Sequence, residues 1–181
     1  MIPPFDKNGV LPPYYGNVTD GNSQSPFRCD ILEFCQRFGT SIPRRDILKG
    51  FVLFRLNCLS FGIRGFQWVD GSFVEDVESV EGRSPHDIDV ASWFYVSGPS
   101  DSDRILQYFP EFSDPRLSKA KYMVDHYPLL PSDPLVTIQQ TKYWNTLFSH
   151  NRRGVWKGMV EIPLYDTVDR DQEALDYLNS I

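Results

Sequence analysis

The sequence predicts a mixed α/β (α+β) domain, and three observations carry that prediction. Two consecutive segments near the start repeat apolar residues at helical spacing. Three or four later segments are rich in Val, Ile and aromatic residues and alternate in character as strands do. Short helical stretches lie between those strands. The expected architecture is a mixed β-sheet of about four strands with flanking helices, spanning residues 28–181. An extended arm, residues 1–27, precedes it and packs on the body.

The elements follow in order. Residues 1–27 are rich in Pro, Gly, Asn and Ser, with turns at Asn8-Gly9 and Pro12-Pro13. Ile2, Phe5, Val10, Leu11, Tyr14 and Tyr15 supply the apolar contacts that would order the arm. "RCDILEFCQRF" reads as a short helix ended by Gly39. "SIPRRDILKGFVLFRLNCLSFG" starts a second, with Ser41 as cap and Pro43 in the first turn, and Gly62 ends it. "GFQWVDG" is a strand, "SFVEDVE" one or two helical turns, and "SVEGRSPHD" a loop. "DIDVASWFYV" is the second strand, and "DSDRILQYF" and "DPRLSKA" are short helices. "KYMVDHYPL" is the third strand, "PLVTIQQTKYWNTLF" a helix, "SHNRRG" a turn, "VWKGMVEIPLY" the fourth strand, and "RDQEALDYLNSI" an amphipathic helix.

Composition narrows the function. The 181 residues are 41% hydrophobic and 23% charged, with an aromatic share of 14% that can build a sizeable core. The formal net charge of -6 disfavours a broad non-specific nucleic-acid binder, which needs a basic surface. A local basic groove from Lys119, Lys121, Arg152, Arg153 and Lys157 stays open beside a plain solvated surface. No apolar run reaches the roughly 18–20 residues that span a bilayer, and the N-terminus lacks a signal-peptide pattern. The expected location is cytoplasmic, with Cys29, Cys35 and Cys58 as free buried thiols.

The chemistry concentrates in "DGSFVEDVESVEGRSPHDIDV", Asp70 to Val90. Alternate residues of a strand share a face, so Asp87 and Asp89 point one way while Ile88 and Val90 point to the core. Two carboxylates on a rigid strand form a hard-oxygen set suited to Mg²⁺ or Mn²⁺. Gly71 and Ser72 end the preceding strand and open a helical turn. Glycine admits a phosphate close to the backbone, and the serine hydroxyl and helix N-terminus donate to it. A phosphate site beside a divalent-metal site is what an Mg-bound nucleoside triphosphate requires.

Gly-Ser followed by Asp-x-Asp on a strand resembles the signature of the polymerase-β-like nucleotidyltransferase superfamily, above all its minimal forms. The opening "IPPFDKNGVLPP", the "DGSFV…DIDV" core and the late "KGMVEI" are similar to small stand-alone prokaryotic nucleotidyltransferase-like proteins. The loop from Ser72 to Asp87 is longer than the usual spacing, and Phe73 follows the serine. The resemblance implies a nucleotidyltransferase fold over residues 28–181 and a third acid on a later strand, for which Asp125 stands in the matching position. It also implies two Mg²⁺ (or Mn²⁺) ions held by Asp87, Asp89 and Asp125, and phosphates held by Gly71 and Ser72. The implied reaction moves NMP from an NTP such as ATP to a hydroxyl of a protein or tRNA. Toxin–antitoxin or phage-defence systems, with a partner protein from the same operon, are the expected setting. The alternative is a catalytically silent nucleotide-binding module.

Other residues carry plainer expectations. Lys157 reads equally as a triphosphate-neutralising, nucleotide-binding cation and as an exposed edge-strand lysine. Asp70 reads as a strand-end acid, and Asp101, Asp103 and Asp114 as caps and surface acids. His86 and His126 neighbour the acids in sequence but should face away from them. Tyr143 and Trp144 read as core.

Overall fold

The computed structural model describes residues 1–165 and 168–181. A two-residue strand, β1 (Phe27–Arg28), leads into helices α1 (Ile31–Phe38) and α2 (Ile42–Ser60). Asp30 caps α1 by accepting from Glu33 N at 2.8 Å. Ser41 precedes α2, but its hydroxyl turns to Glu78 Oε1 at 3.4 Å instead of capping its own helix. Strand β2 (Arg64–Asp70) ends in a 3₁₀ turn at Ser72–Val74, followed by α3 (Val77–Glu81) and β3 (Ile88–Tyr95). Then come α4 (Pro99–Tyr108), α5 (Pro115–Tyr122), β4 (Val124–Leu129), α6 (Pro134–Phe148), β5 (Val160–Leu164) and α7 (Val168–Ser180).

The sheet is open and mixed, in the order β1-β5-β2-β3-β4. β2 runs antiparallel to both β3 and β5, while β3–β4 and β1–β5 are parallel pairs. Five strands stand where about four were expected. β1 has two residues, too few for any alternation to be visible. Two strand boundaries also shift. Lys121 and Tyr122 finish α5, and Met123 turns the chain in the left-handed region (φ 57°) before β4 begins. The fourth expected strand pairs only from Val160; ahead of it, Trp156 forms an isolated bridge with His150.

Strand alternation divides the sheet into two faces. Val69, Ile88, Val90, Val124, Val160, Ile162 and Leu164 join a core with α1, α2 and α7, built around Phe34, Phe51 and Phe54. The other face holds Trp68, Ala91, Trp93, Leu129 and Met159, covered by Trp144 and Phe148 of α6. The arm docks as expected through buried Ile2, Val10 and Leu11, and Val10 bridges Glu75 beside the 3₁₀ turn. The three cysteines are free and buried, and burial pushes their thiols up. No helix of the described residues is long and apolar enough to cross a membrane.

Polar side chains cross the helix-covered face in one line. Arg55 of α2, ion-paired with Asp171 of α7 at 2.6 Å, donates to Gln67 Oε1 at 2.7 Å. Gln67 Nε2 donates to Ser92 Oγ at 3.0 Å, and Ser92 Oγ lies 2.8 Å from His126 Nε2. His126 Nδ1 stands 2.8 Å from Phe112 O, an acceptor only, so Nδ1 carries the proton and Nε2 accepts from the serine. Burial holds the imidazole neutral by lowering its pKa to about 3. From Arg55 to Phe112 O every bond therefore points the same way. Elsewhere, α2 and α5 meet at a glycine: a Cβ on Gly50 would lie 2.1 Å from Tyr122 O.

Candidate functional site

The register of three strands assembles the acids. Asp70 is paired with Asp89 across β2–β3, and Asp89 with Asp125 across β3–β4. One rung at the end of the sheet thus carries an aspartate on each of three adjacent strands. Asp87, two residues before Asp89, lies just ahead of β3. All four line a single cleft of about 800 Å³, with Gly71 and Ser72 in the same wall. This is the face opposite the main core, the one that α6 covers, and Leu147 and Phe148 of α6 form part of the cleft wall.

Gly71 has no room for a side chain. Its φ is +78°, and a Cβ would lie 1.7 Å from Asp89 Oδ2. The carboxylate therefore packs directly on the Gly-Ser backbone. Two buried cations hold that loop from behind. Lys157 donates to Gly71 O at 2.9 Å and to Glu75 Oε1 at 2.8 Å, and lies 3.0 Å from Asp70 Oδ1. Arg44 of α2 donates to Phe73 O at 2.6 Å and to Glu75 O, and pairs with Glu78 at 2.7 Å.

The electrostatics sort the acids. Burial pushes Asp70 up to about 7 although Lys157 beside it works in the other direction. The contact between them lacks hydrogen-bond angles, which leaves Asp70 Oδ1 without a donor. Asp89 rises to about 6, from burial first and then from the charges of Asp87 and Asp125. Asp87 and Asp125 share a cation that motif reading missed. Lys119, near the end of α5, pairs with Asp87 and stands 3.4 Å from Asp125 Oδ2. Its own pKa is raised, chiefly by the bond to Asp87. Lys157, with 1% of its side chain exposed, is no edge-strand lysine; Asp70 and Glu75 keep it charged against its burial.

Several expectations meet the structure here. Asp125 joins Asp89 by strand register, as the three-acid pattern requires. His126 faces away, into the core, but His86 lies in a loop where alternation does not apply, and it lines the cleft. Lys119, Arg152, Arg153 and Lys157 gather around the cleft, whereas Lys121 pairs with Glu111 elsewhere. Trp144 is buried as expected, while Tyr143 is exposed. Asp114 caps α5. Lys119 was legible as a basic-groove candidate but not as the partner of Asp87 and Asp125, and Arg44 carried no signal, because the partners of each lie far along the chain or beyond a left-handed turn.

The all-carboxylate donors Asp87, Asp89 and Asp125 suit a hard divalent cation such as Mg²⁺ or Mn²⁺ in chemistry. Among the described residues, no three or more His, Cys, Asp or Glu side chains stand in a metal-holding group. The cation that bridges Asp87 and Asp125 is instead the Lys119 ammonium.

Fold and site define a class: an open-sheet α+β protein with an acid-floored cleft beside a glycine turn. The chain belongs to a family described as a family of unknown function (DUF6932), whose pattern matches residues 3–163. No curated protein and no solved structure matches it.

Proposed function

We propose that this protein is a metal-dependent nucleotidyltransferase that moves NMP from an NTP to a hydroxyl acceptor on a protein or tRNA. The observation that carries the proposal is the rung of acids, Asp70–Asp89–Asp125, set against the positive-φ Gly71 in one cleft. A mixed sheet with flanking helices and its acids at the end of adjacent strands supports the polymerase-β-like resemblance.

In this reading Asp87, Asp89 and Asp125 would hold two divalent ions, and Asp125 would take the proton of the attacking hydroxyl. The ions, when bound, supply Lewis-acid activation of that hydroxyl and neutralise the outgoing pyrophosphate. Gly71 and Ser72 hold the phosphates, and Lys157 fixes that turn from behind through Gly71 O. Arg152 and Arg153 line the same cleft and add positive charge for an anionic substrate. The protein's part is positioning and charge placement rather than covalent chemistry.

A second reading, nucleotide binding without transfer, draws on Lys119, which already neutralises two of the acids. One experiment separates them. Labelled ATP, GTP, CTP and UTP are incubated with the protein, Mg²⁺ and a cell lysate. The expected result is label on one acceptor class, lost in the Asp87→Asn, Asp89→Asn double variant. Nucleotide-dependent thermal stabilisation without label transfer would support the silent module and sink the enzyme.

A further inference from the structure

We propose that Lys119 is a displaceable internal cation. It neutralises Asp87 and Asp125 in the metal-free protein and competes with the divalent ion for them. The inference rests on the metal-dependent reading above and concerns how that site is kept when no metal is bound.

The chain path puts Lys119 there. It lies near the end of α5, and the left-handed turn at Met123 leads directly into β4. Asp125, the second residue of β4, is thereby brought back to a lysine of the preceding helix. Asp87 arrives from the neighbouring strand at the register that pairs Ile88 with Val124. The result is one ammonium between two carboxylates, on the same oxygens a divalent ion needs.

Exposure separates the two lysines of the cleft. Lys157 is 1% exposed and anchored to Asp70, Glu75 and a main-chain carbonyl, so it cannot leave without stranding buried charge. Lys119 is 51% exposed, and its two carboxylates are 19% and 20% exposed. Its flexible stem can swing into solvent at the small cost of a surface ion pair. A divalent ion and an ammonium repel each other, so the ion binds the form with Lys119 withdrawn. Apparent metal affinity is then lowered by the fraction of molecules in which the lysine is in place.

The test is Mn²⁺ binding, followed by calorimetry or by the EPR signal of free Mn²⁺, on wild type, Lys119→Met and Lys119→Arg. The methionine variant keeps the stem and loses the charge, and should bind Mn²⁺ at least about fivefold more tightly. In chelator it should melt lower than wild type, because Asp87 and Asp125 then face each other unpaired. The arginine variant should bind Mn²⁺ more weakly than wild type, because a guanidinium grips two carboxylates through more hydrogen bonds. Equal or weaker Mn²⁺ binding by the methionine variant overturns the inference and leaves the metal site standing. An arginine variant that binds as tightly as wild type also counts against it. Absence of Mn²⁺ binding in wild type and in both variants removes the metal reading itself, and the inference with it.

Discussion

Asp89 sits between two acids that share a lysine, yet among the described residues it has no ion pair of its own. Its raised pKa, about 6, expresses that isolation: burial, Asp87 and Asp125 all oppose its charge. The sign of the linkage follows. A carboxyl whose folded pKa lies above its unfolded value adds stability below the unfolded pKa, and that stability is lost as pH rises through the folded one. Replacing Asp89 with Asn removes the penalty. In chelator, Asp89→Asn should therefore melt higher than wild type above pH 6, by about 1–3 kcal/mol, with the gain shrinking toward pH 4. Asp87→Asn should not share this gain, because it strips Lys119 of its main partner. Thermal melts across that pH range check both. A lower melting temperature for Asp89→Asn at pH 8 would mean that this acid is held by contacts its surroundings do not reveal.

At the scale of elements, the meeting of α2 and α5 governs the site from a distance. Gly50 lets Tyr122 O approach α2, and Tyr122 is the last residue of the helix that carries Lys119. A backbone carbonyl cannot rotate away as a side chain can. Gly50→Ala should thus cost roughly 2–4 kcal/mol in urea unfolding, despite the better helix propensity of alanine. An unchanged midpoint would show that the helices part freely. The same element pair marks how far the sequence could be read. Most elements were legible from spacing and caps, and Asp87 and Asp89 from alternation. Asp125 was legible only through the family pattern, which puts a third acid on a later strand. Lys119 was read as a basic-groove candidate, but its pairing with the acids was hidden because its meeting with Asp125 depends on the left-handed turn at Met123, a conformation that methionine does not advertise. Arg44 was hidden because a long-range hydrogen bond to a carbonyl leaves no pattern along the chain. β1 was too short to show one, and His86 was judged by strand geometry it does not have.

For the whole molecule, the polar line from Asp171 to Phe112 O joins α7, α2, three strands and the turn before α5. His126 is the member of the line whose pKa burial shifts to about 3. Its contribution is therefore complete above the unfolded value near 6.5 and lost as pH falls through the folded one. His126→Gln should be less stable than wild type at pH 7 by about 1–3 kcal/mol. The difference should narrow steadily as pH drops from 6.5 toward 3, since glutamine has no proton to gain. Chemical denaturation at several pH values measures it, and a difference independent of pH would mean that the imidazole does not titrate on unfolding.

The one-way sense of that line from Arg55 onward has a consequence for strand alignment. Gln67, Ser92 and His126 occupy the helix-covered face only in the native register. A slip of one residue turns each of them to the opposite face, and leaves the Arg55 guanidinium over apolar side chains with no amide to accept from it. Apolar residues alone would oppose such a slip less strongly, since apolar side chains line both faces of these strands, Val and Ile on one and Trp on the other. The polar line does not, because an acceptor placed where a donor is required breaks the sequence at that point. Five side chains therefore act as a parity check on the pairing of β2, β3 and β4. Only an alignment that passes it sets Asp70, Asp89 and Asp125 on the same rung.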